Sequence, residues 1–314
     1  MEASNHKPIT GLSLALISAM LWGVLPVALK ELLVAMDAVT IVWYRFFAAF
    51  AVLFLWLLSR RQLPDLRNIS GSTRWILFIA STMLCINYFM FNYSLNFVNG
   101  ETSEAVIQLS TLFLILGGVV FYKEPFSKIQ LGGTLMIVIG LLLFFDDRLS
   151  ALSNLDNRET LGVIIVIIAA ITWAVYALLQ KKLSQNFSSV QILFVIYVFS
   201  SLVLLPFSSP GELFDLNQAQ FFILLFCCIN TLIAYGCFAE SLNHWHASKV
   251  SSVLALAPVF TIGTLKLVVL INPNYEFSDR LGWVSIAGAA LLILGSIITA
   301  LTPLLTGREK AVRA

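Results

Sequence analysis

The chain has 314 residues, of which 59% are hydrophobic and only 11% are charged. An ordinary soluble domain has roughly 25% charged residues, so this composition excludes a protein that is surrounded mainly by water. The net charge of +2 is small, and we expect no nucleic-acid partner.

Ten apolar runs follow one another along the sequence, separated by short polar connections. A helix needs about 20 residues to cross the hydrocarbon layer of a bilayer, and each run approaches that length. We therefore predict an all-α polytopic membrane protein with ten transmembrane helices and the lipid bilayer as its main solvent. The runs cover residues 10–29, 39–58, 75–97, 104–122, 128–145, 161–180, 190–207, 219–241, 249–271 and 281–303.

Basic residues are distributed unevenly between the connections of these ten runs. If successive helices alternate in direction, 13 of the Lys and Arg residues lie on one side of the membrane and 4 lie on the other. Short cytoplasmic loops collect Lys and Arg, which assigns the first side to the cytoplasm. We expect a multi-pass plasma membrane protein, in a bacterium an inner membrane protein, with both termini cytoplasmic.

Three segments of the first half recur in the same order in the second half. Five helices per copy is an odd number, so the sequence predicts two inverted repeats, residues 1–148 and 149–314. Secondary transporters contain such repeats and bind their substrates between them, near the bilayer midplane; the alternative is a duplicated scaffold without transport. We expect the glycines of the third segment to permit close helix packing. The matches are 11–30 with 162–181, 92–113 with 239–260, and Gly133 and Gly140 with Gly288 and Gly295, at offsets of 151, 147 and 155.

Charged side chains inside the runs are candidates for function, because a charge is costly within a membrane. Arg45 lies six residues from the outer end of its run; it either faces a cavity and attracts a substrate carboxylate or extends to the lipid headgroups. For Lys266, extension to the headgroups is favoured. Glu240 is a candidate for binding a coupling proton, with a carboxylate at the cytoplasmic rim as the alternative.

The third run carries a polar face. Tyr88, Asn92 and Asn96 recur at intervals of four residues, which places them on one side of a helix, and Asn87 flanks them. Amides need hydrogen-bond partners in a membrane, so these residues either line a wetted cavity or join helices. Cavity lining is favoured because the polar side chains exceed what one helix contact needs.

Aromatic and amide side chains in other runs complete the predicted substrate site. Trp22 and Trp173 occupy equivalent places in the two repeats, deeper than the interfacial position that Trp usually takes. With Tyr176 they are candidates for the walls of a pocket, and ordinary packing is the alternative. The remaining candidates are Gln108, Asn230 and Tyr235.

Several short motifs occur in an order that resembles the EamA-type exporters of the drug/metabolite transporter superfamily. The resemblance implies a secondary transporter that exports small polar metabolites, such as amino acids, by alternating access, with protons as a candidate coupling ion. Two departures are Thr111, which stands where the second half has Pro258, and Ile196, which stands at the counterpart of Arg45. The motifs are Leu21-Trp22-Gly23, Tyr44-Arg45-Phe46, Tyr122-Lys123-Glu124-Pro125, Gly132, Gly140 and Ala257-Pro258-Val259-Phe260.

Two other function classes remain open at the level of sequence. An intramembrane enzyme would need a nucleophile and base or a metal cluster, for which the sequence offers Glu240 and the pair His244 and His246. A membrane receptor or scaffold would transport no solute across the membrane. Two histidines without a third ligand are weak grounds for a metal site, and no phosphate-binding glycine loop is present. We predict no cofactor, no metal and no enzymatic activity.

Overall fold

The regular secondary structure is entirely helical in the part of the chain that the structure describes. This computed structural model describes residues 8–123, 126–146, 154, 156–244, 250 and 253–305. The first half contributes α1 Pro8–Leu32, α2 Ala38–Ser59, α3 Gly71–Ser94, α4 Gly100–Ile107, α5 Leu109–Tyr122 and α6 Lys128–Phe144. The second half contributes α7 Arg158–Leu183, α8 Ser189–Leu204, α9 Gln218–His244, α10 Ala257–Ile271 and α11 Trp283–Leu305.

Seven helical stretches within the described residues are long and apolar enough to cross a membrane. They are α1, α2, α3, the consecutive helices α4 and α5, then α7, α8 and α9. Three further helical stretches are apolar but shorter, and they are α6, α10 and the first part of α11. Each stretch lies on one of the ten predicted runs, so the all-α membrane class is confirmed.

Polar side chains fix where several helices begin. The Asp37 side chain accepts a hydrogen bond from Thr40 N at the start of α2, and Ser70 accepts one from Thr73 N at the start of α3. Ser127 forms a reciprocal capping box with Gln130 at the start of α6. Such caps satisfy backbone N–H groups that have no partner within the helix, and they mark the ends of the apolar runs.

Helices of the first half pack mainly against helices of the second half. The main pairs are α1 with α9, α2 with α8, α3 with α7, and α6 with α11. Ser18 Oγ donates to the Ala234 carbonyl between α1 and α9 at 3.0 Å. Asn87 Nδ2 donates to the Ala169 carbonyl between α3 and α7 at 2.8 Å. The core therefore lies between the two halves of the sequence.

Glycines bring α6 and α11 into backbone contact. A Cβ atom on Gly140 would lie 2.5 Å from Leu292 N and 2.7 Å from the Gly288 carbonyl oxygen. A Cβ atom on Gly133 would lie 2.8 Å from the Gly295 carbonyl oxygen. Side chains do not fit at such distances, so the predicted role of these glycines in close helix packing is confirmed.

Two tight turns interrupt the helices that border the centre of the bundle. Between α4 and α5, Thr111 N donates to the Gln108 carbonyl at 3.0 Å, an i to i+3 bond in place of the α-helical pattern. At the start of α10, Val259 N donates to the carbonyl of the N-cap residue Leu256 at 2.9 Å, and Pro258 lies in the first turn of the helix. Proline has no N–H to donate and fits the first turn of a helix. Both turns bring backbone and short side chains toward the centre of the bundle.

Candidate functional site

A cavity of about 220 Å³ lies at the centre of the bundle, between helices of both halves. Pockets for drug-sized ligands have volumes of roughly 300 to 1,000 Å³, so this cavity is suited to a small solute. Its polar lining residues are Arg45, Asn87, Tyr88, Asn92, Glu104, Gln108, Ser110 and Thr111, and its apolar and aromatic lining includes Trp22, Leu25, Phe91, Ile107, Leu114, Trp173, Tyr235, Phe238, Leu254, Ala255 and Ala257.

Most of the predicted site residues meet at this cavity. The predicted residues that it brings together are up to 213 positions apart in the sequence, from Trp22 to Tyr235. The predicted residues that line the cavity are Trp22, Arg45, Asn87, Tyr88, Asn92, Gln108, Trp173 and Tyr235.

Three predicted site residues do not line this cavity. Asn96 follows the end of α3 at Ser94, so the helical face that carries Asn92 does not continue to it, and its side chain is exposed. Tyr176 is 3% exposed and packs in the apolar core. Asn230 Nδ2 donates to the Leu21 carbonyl at 2.7 Å, so it joins α9 to α1.

Arg45 is buried at the cavity wall. Only 3% of the residue is exposed, so the alternative in which its side chain extends to the headgroups does not apply. Its Nε donates to Thr231 Oγ1 at 3.0 Å, and its guanidinium carbon lies 4.9 Å from the centre of the Tyr88 ring. Among the described side chains, no carboxylate forms an ion pair with it. The guanidinium therefore supplies an uncompensated positive charge beside the cavity.

The two asparagines of the cavity combine both roles that the sequence left open. Asn87 lines the cavity and also joins α3 to α7 through its bond to Ala169. Asn92 Nδ2 donates to the Tyr88 carbonyl of its own helix at 2.8 Å. Its Oδ1 is buried and has no hydrogen-bond donor among the described residues, so this acceptor is available at the cavity wall.

Aromatic rings form much of the remaining wall. Trp22 packs edge-on against Tyr235, with ring centres 5.1 Å apart, and also contacts Phe238 at 5.7 Å. Tyr88 stacks near Tyr235 at 6.1 Å. Trp173 contributes from α7. These rings pack against one another and also face the cavity. Trp22 therefore takes part in ordinary packing and also forms part of the pocket wall.

Glu104 is a lining residue that the sequence interpretation missed. It is 6% exposed and lies one turn before Gln108 on the wall formed by α4 and α5. It is the first residue of the fourth apolar run, where a carboxylate resembles an ordinary polar residue at the end of a membrane-spanning helix. The spacing of four residues to Gln108, with Thr111 three residues further on, places all three on one helical face and is the signal that was available.

The other candidate ionisable residues lie away from the cavity. The Glu240 side chain is 53% exposed, and its Oε1 lies 2.9 Å from His244 Nε2 one turn later. Lys266 is exposed on α10. His246 lies outside the described residues. Among the residues that the structure describes, no group of three or more His, Cys, Asp or Glu side chains is arranged to hold a metal ion.

The loop after α10 is fastened to the start of α4 at one end of the bundle. The Asp279 carboxylate accepts hydrogen bonds from Asn99 Nδ2 at 3.0 Å and from Thr102 N and Oγ1 at 3.2 and 2.6 Å. Ser278 Oγ donates to Glu101 Oε1 at 2.6 Å. These contacts hold the start of the helix that carries Glu104.

The sequence is similar to curated transporters along nearly its whole length. The EamA-like transporter family matches residues 9–146 and 160–301. An uncharacterized transporter of Haemophilus influenzae is 36% identical over 297 residues, which cover 95% of this chain and 96% of that protein. The uncharacterized inner membrane transporter YhbE of Escherichia coli K12 is 34% identical over 293 residues, which cover 93% and 91%.

More distant similarities agree in fold. A protein of Escherichia coli K12 named as a probable amino-acid metabolite efflux pump is 22% identical over 300 residues, which cover 91% of this chain and 93% of that protein. A solved crystal structure superposes with a TM-score of 0.61 at 15% identity and covers 93% of this chain and 97% of that chain. At this identity the superposition indicates a shared fold and nothing about substrate.

Proposed function

Because the chain belongs to the EamA-like transporter family and is a multi-pass membrane protein, we propose that it is a secondary transporter of small polar metabolites that works by alternating access. The observation that carries this proposal is the central cavity. It is lined from both halves and combines a buried cation, Arg45, with amides and aromatic rings. A lipid-facing scaffold has no need for such a lining, whereas a polar solute requires it.

Alternating access further requires that the two halves act as inverted repeats. Equivalent contacts in the two halves support this arrangement. Ser18 forms a hydrogen bond with Ala234. At the repeat offsets of 151 and 147, Ala169 is the counterpart of Ser18 and Asn87 is the counterpart of Ala234, and these two residues also form a hydrogen bond. Exchange of conformation between two such halves would open the cavity to each side in turn.

A second pair of contacts repeats in the same way at the ends of the helices. Lys30 Nζ lies 5.3 Å from the centre of the Phe277 ring, and Lys181 Nζ lies 4.7 Å from the centre of the Tyr122 ring. Lys30 and Lys181 are equivalent in the predicted repeat, and so are their ring partners at the offset of 155. The ten-helix inverted repeat is therefore our structural proposal for the whole chain.

Amino acids and related compounds are the substrates that we propose, with outward transport. The guanidinium of Arg45 suits a carboxylate, the amides suit further polar groups, and the rings suit an apolar side chain. The printed name of the distant Escherichia coli relative, an amino-acid metabolite efflux pump, points the same way. We also propose an inner membrane location with both termini cytoplasmic, and protons as the coupling ion.

Uptake into proteoliposomes tests the function. Purified protein is reconstituted, and the entry of radiolabelled amino acids is compared with entry into protein-free vesicles, with and without an imposed pH gradient. We expect at least one amino acid to enter faster with the protein and to accumulate when the gradient is present. Equal rates for every solute in both vesicle types would overturn transport, and flux that ignores the gradient would overturn proton coupling.

A further inference from the structure

Glu104 is a buried acidic residue in the wall of the central cavity. It lies on α4, is 6% exposed and faces the same cavity as Arg45. No hydrogen bond or ion pair to its carboxylate exists among the described residues.

The neighbouring acidic residues make the contrast specific. Glu101, three residues earlier on the same helix, is equally buried at 4% exposure, but its Oε1 accepts the hydrogen bond from Ser278. Asp279 accepts bonds from Asn99 and Thr102. Each of these two carboxylates accepts at least one hydrogen bond from the protein, and both lie outside the cavity lining. Glu104 is the one that faces the cavity.

The charge on Glu104 is opposite to the other charge at the cavity. A carboxylate that is buried without a partner is costly, and in a membrane such a residue marks the path of a ligand. Arg45 stands at the same cavity with one hydrogen bond to protein. The two side chains do not form an ion pair with each other, so both remain available to a ligand that carries both signs of charge.

We propose that Glu104 binds the ammonium group of a zwitterionic solute whose carboxylate is bound by Arg45. This inference rests on the proposed transport function and narrows its substrate class to molecules that carry both groups. The lining of the same cavity includes the amides of Asn92 and Gln108 and the ring of Trp22, which would accommodate the rest of the molecule. A neutral polar metabolite would leave both charges unpaired and would bind less tightly.

Binding measured by titration calorimetry tests the assignment without requiring transport. Each zwitterion is compared with a matched acid that lacks the ammonium and a matched amine that lacks the carboxylate. The probe sets are leucine with isocaproate and isoamylamine, phenylalanine with hydrocinnamate and phenethylamine, and ε-aminocaproate with caproate and hexylamine. We expect wild-type protein to bind at least one zwitterion about tenfold or more tightly than both of its partial analogues, since tenfold corresponds to about 1.4 kcal/mol.

The Glu104→Gln variant separates the charge from the shape of the side chain. We expect it to bind the zwitterion about as weakly as the matched acid, while its affinity for the acid itself stays the same or increases. Glu101→Gln is the control, because Glu101 is buried on the same helix but does not line the cavity; it should retain the wild-type preference. If Glu104→Gln does not fold, the wild-type ranking of the probe sets decides alone.

The outcomes distinguish this assignment from the transport proposal. A wild-type protein that binds none of the zwitterions, or binds each no better than its partial analogues, overturns the assignment. An unchanged preference in Glu104→Gln overturns it as well, and proteoliposome flux would then still support transport. Conversely, a preference that depends on Glu104 in a protein without any flux would support the assignment and overturn transport.

Discussion

Arg45 Nε donates a hydrogen bond to the hydroxyl oxygen of Thr231 at 3.0 Å, which ties the guanidinium of α2 to α9 across the two halves of the chain. Thr231 Oγ1 in turn donates to the Cys227 carbonyl at 2.9 Å. The Tyr88 ring covers the guanidinium on another side. These contacts hold the charge in one orientation, which is the condition for a planar, two-pronged interaction with a carboxylate.

Replacement of Arg45 is expected to weaken carboxylate recognition. Arg45→Gln removes the charge, and Arg45→Lys keeps it but loses the fork of donors. Hydrogen bonds to charged groups contribute about 1.5–3 kcal/mol, so we expect uptake of a carboxylate-bearing solute at low concentration to fall about tenfold or more in Arg45→Gln. Lys266→Gln is the control, because Lys266 is exposed and lies outside the cavity lining. Equal losses in both variants would argue against a specific role for Arg45.

Neutralisation of Glu240 is expected to leave proton coupling intact. The Glu240 side chain is half-exposed beside His244 and does not line the cavity, so a proton bound there does not compete with a solute. Accumulation driven by a pH gradient should therefore be the same in Glu240→Gln and wild-type proteoliposomes. Loss of accumulation with solute exchange preserved would identify Glu240 as the coupling residue and would show that the cavity is not where protons act.

The glycines of α6 provide a stability test with a matched control. In Gly133→Ala the new Cβ would lie 2.8 Å from the Gly295 carbonyl oxygen, so α6 and α11 must separate. Overpacking typically costs about 1–3 kcal/mol. The adjacent Gly132 has no atom within 4 Å of an added Cβ, so Gly132→Ala should be neutral or slightly stabilising. Thermal unfolding in detergent measures both, and similar midpoints for the two variants would contradict this packing.

Removal of the Asp279 carboxylate is expected to loosen the start of α4. The Asp279 carboxylate accepts a hydrogen bond from Thr102 N in the first turn of α4, where N–H groups have no carbonyl partner within the helix. Loss of such a helix cap costs about 0.5–2 kcal/mol. Asp279→Ala should therefore increase hydrogen exchange in the first turn of α4 and lower the unfolding midpoint. Glu276→Ala, an exposed position on the same loop, should do neither. Exchange that rises equally in both variants would point to a general effect of loop charge.

The sequence predicted the helices better than it predicted the site. Apolar runs of membrane-spanning length depend on composition, which is local, and the glycine spacing of α6 and α11 depends on one helix face. The match between 11–30 and 162–181 also identified Trp22 and Trp173 as equivalent site candidates, and both line the cavity. These successes share one cause, since each rests on a pattern that a single segment or a repeat displays.

The remaining site features depend on packing, which a pattern in one segment does not display. Asn96 continues the spacing of Tyr88 and Asn92, but α3 ends at Ser94, so the face is broken. Asn230 has the right chemistry and is used to join α9 to α1. Glu104 resembled a boundary residue because the rest of its wall comes from distant helices. Its burial follows from the arrangement of the whole bundle.

Alternating access requires that the central cavity can be reached from each side of the membrane in turn. Thr111 lines the cavity, so Thr111→Cys is introduced into a variant in which the four native cysteines are replaced and flux is retained. A membrane-impermeant thiol reagent is then applied to right-side-out and to inside-out vesicles. If the cavity opens alternately to the two sides, the reagent will modify Thr111→Cys from both sides, and a transported solute will slow the modification in each case. Modification from one side only, whether or not the solute is present, would contradict alternating access through this cavity.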